Sequence, residues 1–493
     1  MSETITLAFE EIPYDWREPG TFVEIRPNYR NLGALGYPAR ALLIGQKLST
    51  GSATVAVPQR ITRGDQGAAL FGAGSVLADM CAAFRAANTT SDVYAIALAD
   101  PAGGTAAAGS LVLTGSPTAA GTLAVYIAGQ RVAVNVAAGA TVADIATALR
   151  AAITAKADLP VTAGGSAGTV SLTAKHLGVV GNSIDLRLNR LAGEATPTGL
   201  AVALTAPTGG AGAPDIATIL TAIAAEWFTD IACAWTDSAN LPLLITDLAT
   251  RYQAMGAMDG HAYVGLRGTF GALSAAGAAR NSPHLTMIGA DNAPSPPWAW
   301  AASLCGVGTF HLTNDPARQL RSLALPGIIG PDPADRFTQT ERDLLLRDGI
   351  STFLVDADGT VRLSRVVTTY QTSALAVEDT AWLDITVPKV LSRIRYDWSG
   401  YASLMYPRSK LADDGSPAAE YSDAVVTPRQ MHGSWTARSL LYERLGWIEG
   451  AAETAAESVF VRNLSDRNRL DARQHIRIIG NLMVLAASLQ FEA

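Results

Sequence analysis

Cysteine and charge are scarce in this chain of 493 residues. Its 3 cysteines stand far apart, each within an apolar run, so they provide neither a metal-ligand spacing nor a disulfide framework. We predict that they are small buried apolar residues in a reducing cytoplasm. Charged residues make up 16% of the sequence, against about 25% in an average globular chain. The deficit predicts that neighbouring molecules cover much of the surface, although richness in alanine and glycine also lowers the charged fraction.

Long apolar runs and an N-terminal targeting pattern are also missing. No run of about 18 apolar residues occurs, so we expect no membrane insertion. The first residues have neither a basic start nor an apolar core, so we expect no signal peptide. The net charge of −7 and the isoelectric point of about 5.5 do not favour direct nucleic acid binding, which calls for a basic domain.

Motifs of catalysis and cofactor binding are incomplete. Residues 71–75 resemble the start of a dinucleotide fingerprint, but Leu77 replaces the third glycine, and a tight turn into a helix is the ordinary explanation. The 6 histidines are scattered, and residues 356–359 lack the spaced ligands of a calcium loop and instead indicate a hairpin turn. We predict no enzyme, no cofactor and no metal site. The alternative is an α/β hydrolase with a cryptic Ser/His/Asp triad, whose members need not be neighbours in sequence.

The order of apolar segments predicts a multidomain α/β chain. Strands at residues 41–45 and 93–98 flank a helix at residues 75–87, which predicts a parallel strand pair with a right-handed crossover. The alternation of helices and strands resumes further along the chain and should extend the same sheet. We therefore predict one discontinuous central α/β domain over residues 28–100 and 210–375.

Residues 101–209 have a different texture, in which glycine, alanine and threonine dominate. Two alternating strands flank a hairpin turn at Gly129 and Gln130. A helix follows over residues 141–155 with Thr141 as its N-cap, and two more strands come after it. We predict an inserted β-β-α-β-β domain that flexible linkers join to the central domain on both sides.

The last third of the chain predicts an α+β C-terminal domain over residues 376–478. Helices are expected at residues 380–402, with an interruption near Pro388, and at residues 427–446. Two strands follow, the second of them expected at residues 470–479. Five arginines are concentrated here, and they are Arg462, Arg467, Arg469, Arg473 and Arg477. Either they contact an acidic partner, or they form a solvated strand face with local ion pairs.

Both ends of the chain carry strand-like alternation without a local partner strand. We predict an N-terminal strand arm over residues 1–27 and a C-terminal strand arm over residues 479–493. An isolated strand leaves its backbone N–H and C=O groups unpaired, so each arm should join a sheet in its own subunit or in another. The residues predicted to pair are Phe22, Val23, Glu24, Ile25, Leu485, Ala487, Leu489 and Phe491.

An ordered set of short blocks spans most of the sequence. The blocks are FGAGS, ARNSPH, SPPWAW, NDPAR, DRFT, DGISTF, TTYQT, KLADDG and DRNRLD. Together they resemble the contractile tail sheath proteins of the Mu-like phage family, over roughly residues 15 to 493. Within the insert, YIAGQRV and GNSIDLR also resemble the inserted domain of that family.

The resemblance implies a structural subunit that stacks in hexameric rings around an inner tube. It implies a central domain of the kind called subtilisin-like, without proteolysis, and an inserted domain toward the outside. The terminal arms would add strands to sheets of adjacent subunits, and the C-terminal domain with its arginines would face the tube. Contraction would then drive the tube through the target cell envelope, without a cofactor.

The implied partners are other copies of the chain, the inner tail tube protein, and the baseplate and tail terminator proteins. Assembly is expected in the bacterial host cytoplasm, with the mature protein in the virion tail sheath. A headless bacteriocin or injection device remains open beside a phage tail. A secreted adhesin or binding module is a further alternative, prompted by the insert rich in glycine and threonine and opposed by the missing signal peptide.

Overall fold

The computed structural model describes residues 12–24 except residue 14, residues 33–422 and residues 424–491. Contacts divide the chain into two compact units. The smaller unit comprises the described parts of Met1–Gly36 and Ile394–Arg477, and the larger unit comprises those of Tyr37–Arg393 and Ile478–Ala493. This division is coarser than the predicted domains, whose boundaries stay a prediction.

The larger unit begins with strands and helices in alternation, and a series of strands interrupted by one α-helix follows. In chain order its first elements are β1 (Arg40–Gln46), β2 (Gln59–Ile61), α1 (Gln66–Phe71), α2 (Val76–Ala87) and β3 (Asp92–Leu98). The next elements are β4 (Ala106–Gly115), β5 (Gly121–Ile127), β6 (Gln130–Val136), α3 (Val142–Ala155), β7 (Val161–Gly164), β8 (Thr169–Leu177), β9 (Leu186–Leu188) and β10 (Leu200–Thr208).

Helices and strands alternate in the rest of the larger unit. The elements are α4 (Ala217–Ala222), β11 (Asp230–Cys233), α5 (Leu241–Tyr252), β12 (His261–Arg267), α6 (Phe270–Ala278), β13 (Leu285–Ala290), α7 (Pro297–Asn314), β14 (Ala324–Ile329), α8 (Gln339–Arg347), β15 (Ile350–Val355) and β16 (Thr360–Arg365). Helix α9 (Thr386–Met405) follows and contains the division between the units.

A nine-stranded sheet organises the larger unit, in the order β14-β16-β15-β13-β12-β11-β1-β3-β2. Strand β1 pairs in parallel with both β3 and β11, which confirms the predicted parallel pair and its extension by later strands. Side chains of β1 point alternately to two cores, with Leu43 on one face and Leu42 and Ile44 on the other. Because both faces are covered, the strands are continuous apolar runs.

The edges of this sheet are short or irregular. At one edge β2 has only three residues and follows Pro58. At the other edge β14 contains Pro326, and its antiparallel pairing with β16 shifts register between Ala324 and Ile329. Proline removes a backbone donor, so both edges offer little regular backbone for pairing.

Helix α2 forms as predicted and packs on one face of the sheet. The Ser75 side chain accepts a hydrogen bond from the backbone N–H of Ala78 at 3.1 Å, which caps the first turn. In that turn the Asp79 carboxylate accepts a hydrogen bond from Trp298 Nε1 at 2.6 Å. Burial raises the pKa of Asp79 to about 6, although the bond from Trp298 opposes the shift.

An Asp79→Asn variant is expected to be more stable than the wild type at neutral pH. Folding raises the pKa of this carboxyl group, so the native chain takes up a proton as the pH falls through about 6, and ionisation above that pH costs stability. The thermal midpoint of the variant should be higher by about 2–4 °C at pH 7.5. The difference should shrink toward zero between pH 6 and pH 4, as differential scanning calorimetry would measure. A variant that is less stable at pH 7.5 would contradict this assignment.

The segment between β3 and β11 forms two further sheets, in the orders β10-β4-β8-β7 and β6-β5-β9. Helix α3 begins as predicted, with the Thr141 hydroxyl accepting a bond from the Asp144 N–H at 3.2 Å. The predicted flexible linkers are wrong in part, because their residues form the start of β4 and the end of β10. These strands pair with each other, and residues 101–209 contain seven strands rather than four.

A shared carboxylate attaches this segment to the nine-stranded sheet. Asp185 is buried and accepts two bonds from Arg187, at 2.6 and 2.9 Å, and one from Arg267 of β12 at 2.7 Å. Arg187 also donates to Asp332 at 2.6 Å. Bidentate guanidinium-carboxylate pairs fix direction as well as distance, so this network orients the end of the segment.

Helix α9 begins at Thr386, and the interruption predicted near Pro388 is wrong. Proline is tolerated there because the N–H groups of a first helical turn have no partner within the helix. In the larger unit, Lys389 of this helix donates to the Asp230 carboxylate at 2.7 Å, and the Tyr263 hydroxyl donates to the same oxygen at 2.9 Å.

The described part of the smaller unit is built from helices and two short strand pairs. After α9 its elements are β17 (Lys410–Leu411), α10 (Pro417–Glu420), β18 (Val425–Val426), α11 (Pro428–Arg444), α12 (Ala451–Glu457), β19 (Val459–Arg462) and β20 (Leu470–Arg473). The helix predicted at residues 427–446 is confirmed by α11, but β20 ends at Arg473, earlier than predicted. None of the described helices has the length and apolarity that crossing a membrane requires.

The core of the smaller unit surrounds one fully buried carboxylate. Asp397 of α9 accepts hydrogen bonds from the Leu35 N–H at 2.7 Å, from the Tyr442 hydroxyl at 2.6 Å and from Arg438, whose Nε lies at 3.0 Å. Burial raises the pKa of Tyr442, and the Asp397 carboxylate raises it further. Trp435 packs beside this cluster.

Candidate assembly surfaces

The described N-terminal residues form no strand and expose apolar side chains. Val23 is 80% exposed, Phe22 is about half exposed, and Glu24 is half-buried. The rings of Trp16 and Phe22 meet edge to face, with centroids 5.8 Å apart. Ile25 lies outside the described residues. The predicted arm therefore presents at least two apolar side chains to solvent.

The C-terminal segment is also extended and exposed. Residues 479–491 form no strand, and the predicted pairing residues Leu485, Ala487, Leu489 and Phe491 are all exposed, Leu489 to 95%. Two side chains of the larger unit hold the start of this segment. Gln319 donates to the carbonyl of Leu482 at 3.0 Å, and Arg321 donates to that of Met483 at 3.0 Å. Beyond Met483 the apolar side chains lie in solvent.

Strands β19 and β20 form a two-stranded antiparallel hairpin in the smaller unit. Phe460 anchors it, because its buried ring lies 6.3 Å from Trp398 and 5.7 Å from His432, between ring centroids. Neither strand has a second partner among the described residues. An isolated two-stranded ribbon is marginal in water, so both outer edges favour the addition of a further strand.

All five predicted arginines lie on this hairpin or just after it, but their environments differ. Arg462 is largely buried and pairs with Asp413 at 3.0 Å, and Arg469 pairs with Asp471 at 2.6 Å. The side chains of Asn463 and Arg469 hold the pKa of Asp471 below its usual value. The remaining three are exposed and have no carboxylate within 4.0 Å among the described residues, and they are Arg467, Arg473 and Arg477.

Apolar exposure on the hairpin was not predicted from the sequence. Val459 and Val461 are exposed on one face of β19, and Leu464 in the loop is fully exposed. The alternation Val459-Phe460-Val461 does signal a strand with two apolar faces, only one of which can pack on the unit that carries it. Together with the free arginines, these side chains form a mixed apolar and basic surface.

The described residues form no metal-binding cluster and have no exposed thiol. No three histidine, cysteine or acidic side chains come together in a metal-binding arrangement. The cysteines are buried, as predicted, and burial raises the pKa of Cys233 to about 12, which disfavours the reactive thiolate. Residues 356–359 connect β15 and β16, which confirms the predicted hairpin turn.

Exposed apolar segments and a hairpin whose outer edges have no partner strand among the described residues are typical of structural assembly proteins. Comparison with known proteins names the family. The family model described as the phage tail sheath protein central domain matches residues 209–369. The Mu-like prophage FluMu tail sheath protein of Haemophilus influenzae is 32% identical over 492 residues, which cover 99% of this chain and 100% of that relative. The chain belongs to the phage tail sheath protein family, whose members are structural proteins and not enzymes.

Solved sheath structures have a weaker likeness to the chain. The sheath tail protein from Desulfitobacterium hafniense is 13% identical with a TM-score of 0.49, over 93% of this chain and 100% of that one. The sheath complex of an extracellular contractile injection system in its contracted state is 10% identical with a TM-score of 0.49, over 97% and 98% of the two chains. The family assignment depends on the full-length relative and not on these structures.

Proposed function

We propose that the chain polymerises as stacked hexameric rings around an inner tube and contracts to drive that tube through a target cell envelope. The observation that carries the proposal is the pair of extended ends whose apolar side chains have no cover, in a chain of the tail sheath family. Exposed leucine and phenylalanine of this kind mark surfaces that another molecule covers.

Strand addition is the mode of contact that fits both ends. Val23 and Leu489 lie in segments with strand-like alternation but without a ladder, so their backbone groups are available for pairing. The hairpin of β19 and β20 has two open edges, and each subunit has two arms. One arm at each edge would complete a four-stranded sheet from several copies, and two such links per subunit tie rings into a net.

The hairpin surface with free arginines supports a contact with the inner tube protein. Arg467, Arg473 and Arg477 have no carboxylate partner among the described residues, so an acidic surface would gain ion pairs with them without breaking any of the described ion pairs. Arg462 and Arg469 are already paired, so we expect smaller effects from them. The baseplate and tail terminator proteins are the further proposed partners, at the two ends of the sheath. Assembly would take place in the bacterial host cytoplasm.

Contraction in this proposal needs no cofactor. The extended lattice is a trapped state of higher free energy, and each subunit gains a few kcal/mol of contact when the lattice contracts. Identical interfaces repeat along the sheath, so small gains sum to a large driving force. The arms stay paired while the compact units move.

A Leu489→Asp variant is expected to lose ordered sheath. The leucine is 95% exposed in the subunit, so the substitution should leave the fold intact, but a carboxylate at an interface core is costly to desolvate. Negative-stain electron microscopy, after co-expression with the tube partner, should reveal striated cylinders for the wild type and none for the variant.

The matched control is Ser488→Asp, which adds the same charge to the neighbouring residue on the opposite strand face. It should assemble nearly as well as the wild type. Equal assembly by Leu489→Asp and the wild type, or equal loss in both variants, would refute the strand contact, and unchanged thermal midpoints of the subunits would exclude misfolding as the cause.

A further inference from the structure

A cavity of about 100 Å³ lies in the larger unit, between helix α8 and the end of strand β15. The ladder between β13 and β15 comprises only the pairs Met287–Ile350 and Ile288–Ser351, and the cavity lies beyond the point where this pairing ends. The lining residues are Gly289, Arg336, Phe337, Arg342, Leu345 and residues 351–355. A buried water occupies about 10–15 Å³ on the same kind of measure, so the space exceeds the need of one water.

A buried hydroxyl without a partner lines this cavity. Thr352 is 3% exposed, and its hydroxyl has no hydrogen-bond partner among the described residues. Ile350, two residues earlier in β15, belongs to the same buried cluster as Leu345 of α8, and residues two positions apart in a strand share a face. Thr352 therefore points toward the side on which α8 lies. Buried hydroxyls are almost always hydrogen-bonded, so this hydroxyl is free to bond a water or a ligand.

Two guanidinium groups line the same cavity. Arg336 donates to the carbonyls of Pro331 at 3.2 Å and Val355 at 3.4 Å, and Arg342 donates to that of Phe337 at 2.6 Å. These bonds to neutral carbonyls position the two side chains without neutralising them. No described carboxylate lies within 4.0 Å of either guanidinium, whereas other arginines of this unit pair with acidic side chains, as Arg187 does with Asp185 and Arg365 with Asp384.

The carboxylates of α8 and of the turn that follows it form hydrogen bonds or ion pairs with groups other than these two arginines. Glu341 accepts from the backbone N–H of Thr338 at 2.8 Å, where it completes the cap of α8. Asp343 pairs with Arg347 at 3.2 Å, and Asp348 accepts from Ser274 at 2.5 Å. The cavity thus combines two positive charges and one hydroxyl donor with no internal anion.

We propose that this cavity binds a small oxyanion, with Arg336 and Arg342 as the charged donors and the Thr352 hydroxyl as the third donor. Guanidinium groups and hydroxyls are the donors that recognise phosphate and carboxylate oxygens. The oxyanion comes either from solution, as inorganic phosphate, or from a carboxylate side chain of a second copy of the chain. A carboxylate from a second copy rests on the proposed function, whereas binding of inorganic phosphate does not.

The first experiment titrates the purified full chain with sodium phosphate against sodium chloride of equal ionic strength and records the thermal midpoint. Phosphate should raise the midpoint of the wild type in a saturable manner. Arg342→Gln and Thr352→Val should each need roughly tenfold more phosphate for the same shift, since each removes one donor. Without phosphate, Thr352→Val should be at least as stable as the wild type, because an unpaired buried hydroxyl gives no stabilisation.

The matched control is Arg347→Gln, on the same helix but paired with Asp343 and outside the cavity. It should respond to phosphate as the wild type does. The second experiment compares sheath assembly of the same variants by negative-stain electron microscopy. One outcome assigns the oxyanion to a second copy and supports the proposal. In that outcome Arg342→Gln and Thr352→Val lose assembly while Arg347→Gln does not, and phosphate leaves the midpoint of the wild-type subunit unchanged.

Two outcomes would overturn the proposal. The first is a phosphate response that is the same in the wild type and all three variants, which is a general salt effect. The second is the absence of any phosphate response together with the absence of a selective assembly defect. If the wild type itself forms no sheath, the proposed function fails, whereas the phosphate titration still decides whether this cavity is an anion site.

Discussion

Asp397→Asn is expected to destabilise the smaller unit by about 3–5 kcal/mol, because it removes the buried carboxylate that pairs with Arg438. Asp397 is fully buried, and Arg438 is 3% exposed, so solvent cannot replace the lost partner. The Leu35 N–H and the Tyr442 hydroxyl also lose a charged acceptor. The unfolding midpoint in urea should fall sharply when it is followed by tryptophan fluorescence.

The control for this prediction is Asp413→Asn in the same unit. Asp413 is exposed and pairs with Arg462, and exposed ion pairs contribute about 0–1 kcal/mol. Its midpoint should stay close to that of the wild type. Equal midpoints for Asp397→Asn and Asp413→Asn would mean that the buried cluster does not support the fold as described.

Gly265→Ala is expected to disrupt the nine-stranded sheet. Gly265 lies within β12, and a Cβ atom there would stand 2.0 Å from the carbonyl oxygen of Pro297, at the start of α7. Both partners are backbone in buried elements, so neither can rotate away, and overpacking of this kind costs about 3 kcal/mol. Soluble yield and the thermal midpoint should both drop.

Gly271→Ala is the matched control, because it adds the same methyl group where no atom lies within 4 Å. Gly271 belongs to α6, where alanine is favoured over glycine by about 0.5–1 kcal/mol. The control should therefore be as stable as the wild type or slightly more so. A Gly265→Ala variant that matches Gly271→Ala in midpoint would contradict the close approach of β12 and α7.

The central sheet could be predicted from the sequence because its strands are short, fully apolar and separated by amphipathic helices. Leu42, Leu43 and Ile44 are buried in succession on two faces, which is the signature of a parallel strand. Helix boundaries were also accessible where a capping side chain marks them, as Thr141 and Thr427 do.

The strands at the borders of the insert could not be predicted in the same way. In β4 the inward residues include Ala107 and Gly109 beside Leu111 and Leu113, so the apolar alternation is faint until the strand pairs with β10. Small residues at such positions are equally typical of a flexible linker. The pairing that distinguishes the two cases joins residues about ninety positions apart, which no local pattern records.

The assembly surfaces were only partly accessible to sequence analysis. The alternation of Leu485, Leu489 and Phe491 predicts the C-terminal arm, whose side chains are exposed in the subunit and whose pairing stays a prediction. Which of the arginines are paired could not be predicted, since the partner of Arg462 is Asp413, which is far away in sequence. Likewise nothing local marks Thr352 as an orphan donor, because it lies just beyond the point where the pairing of β13 and β15 ends.

The short and irregular edge strands of the nine-stranded sheet disfavour pairing between copies at these edges. With a three-residue strand at one side and a proline-interrupted strand at the other, newly made subunits have no long free ladder through which to stick together sideways. In the proposed assembly, copies would therefore join through the exposed terminal segments and not through this sheet. Subunits could then accumulate to high concentration before a template brings those segments together.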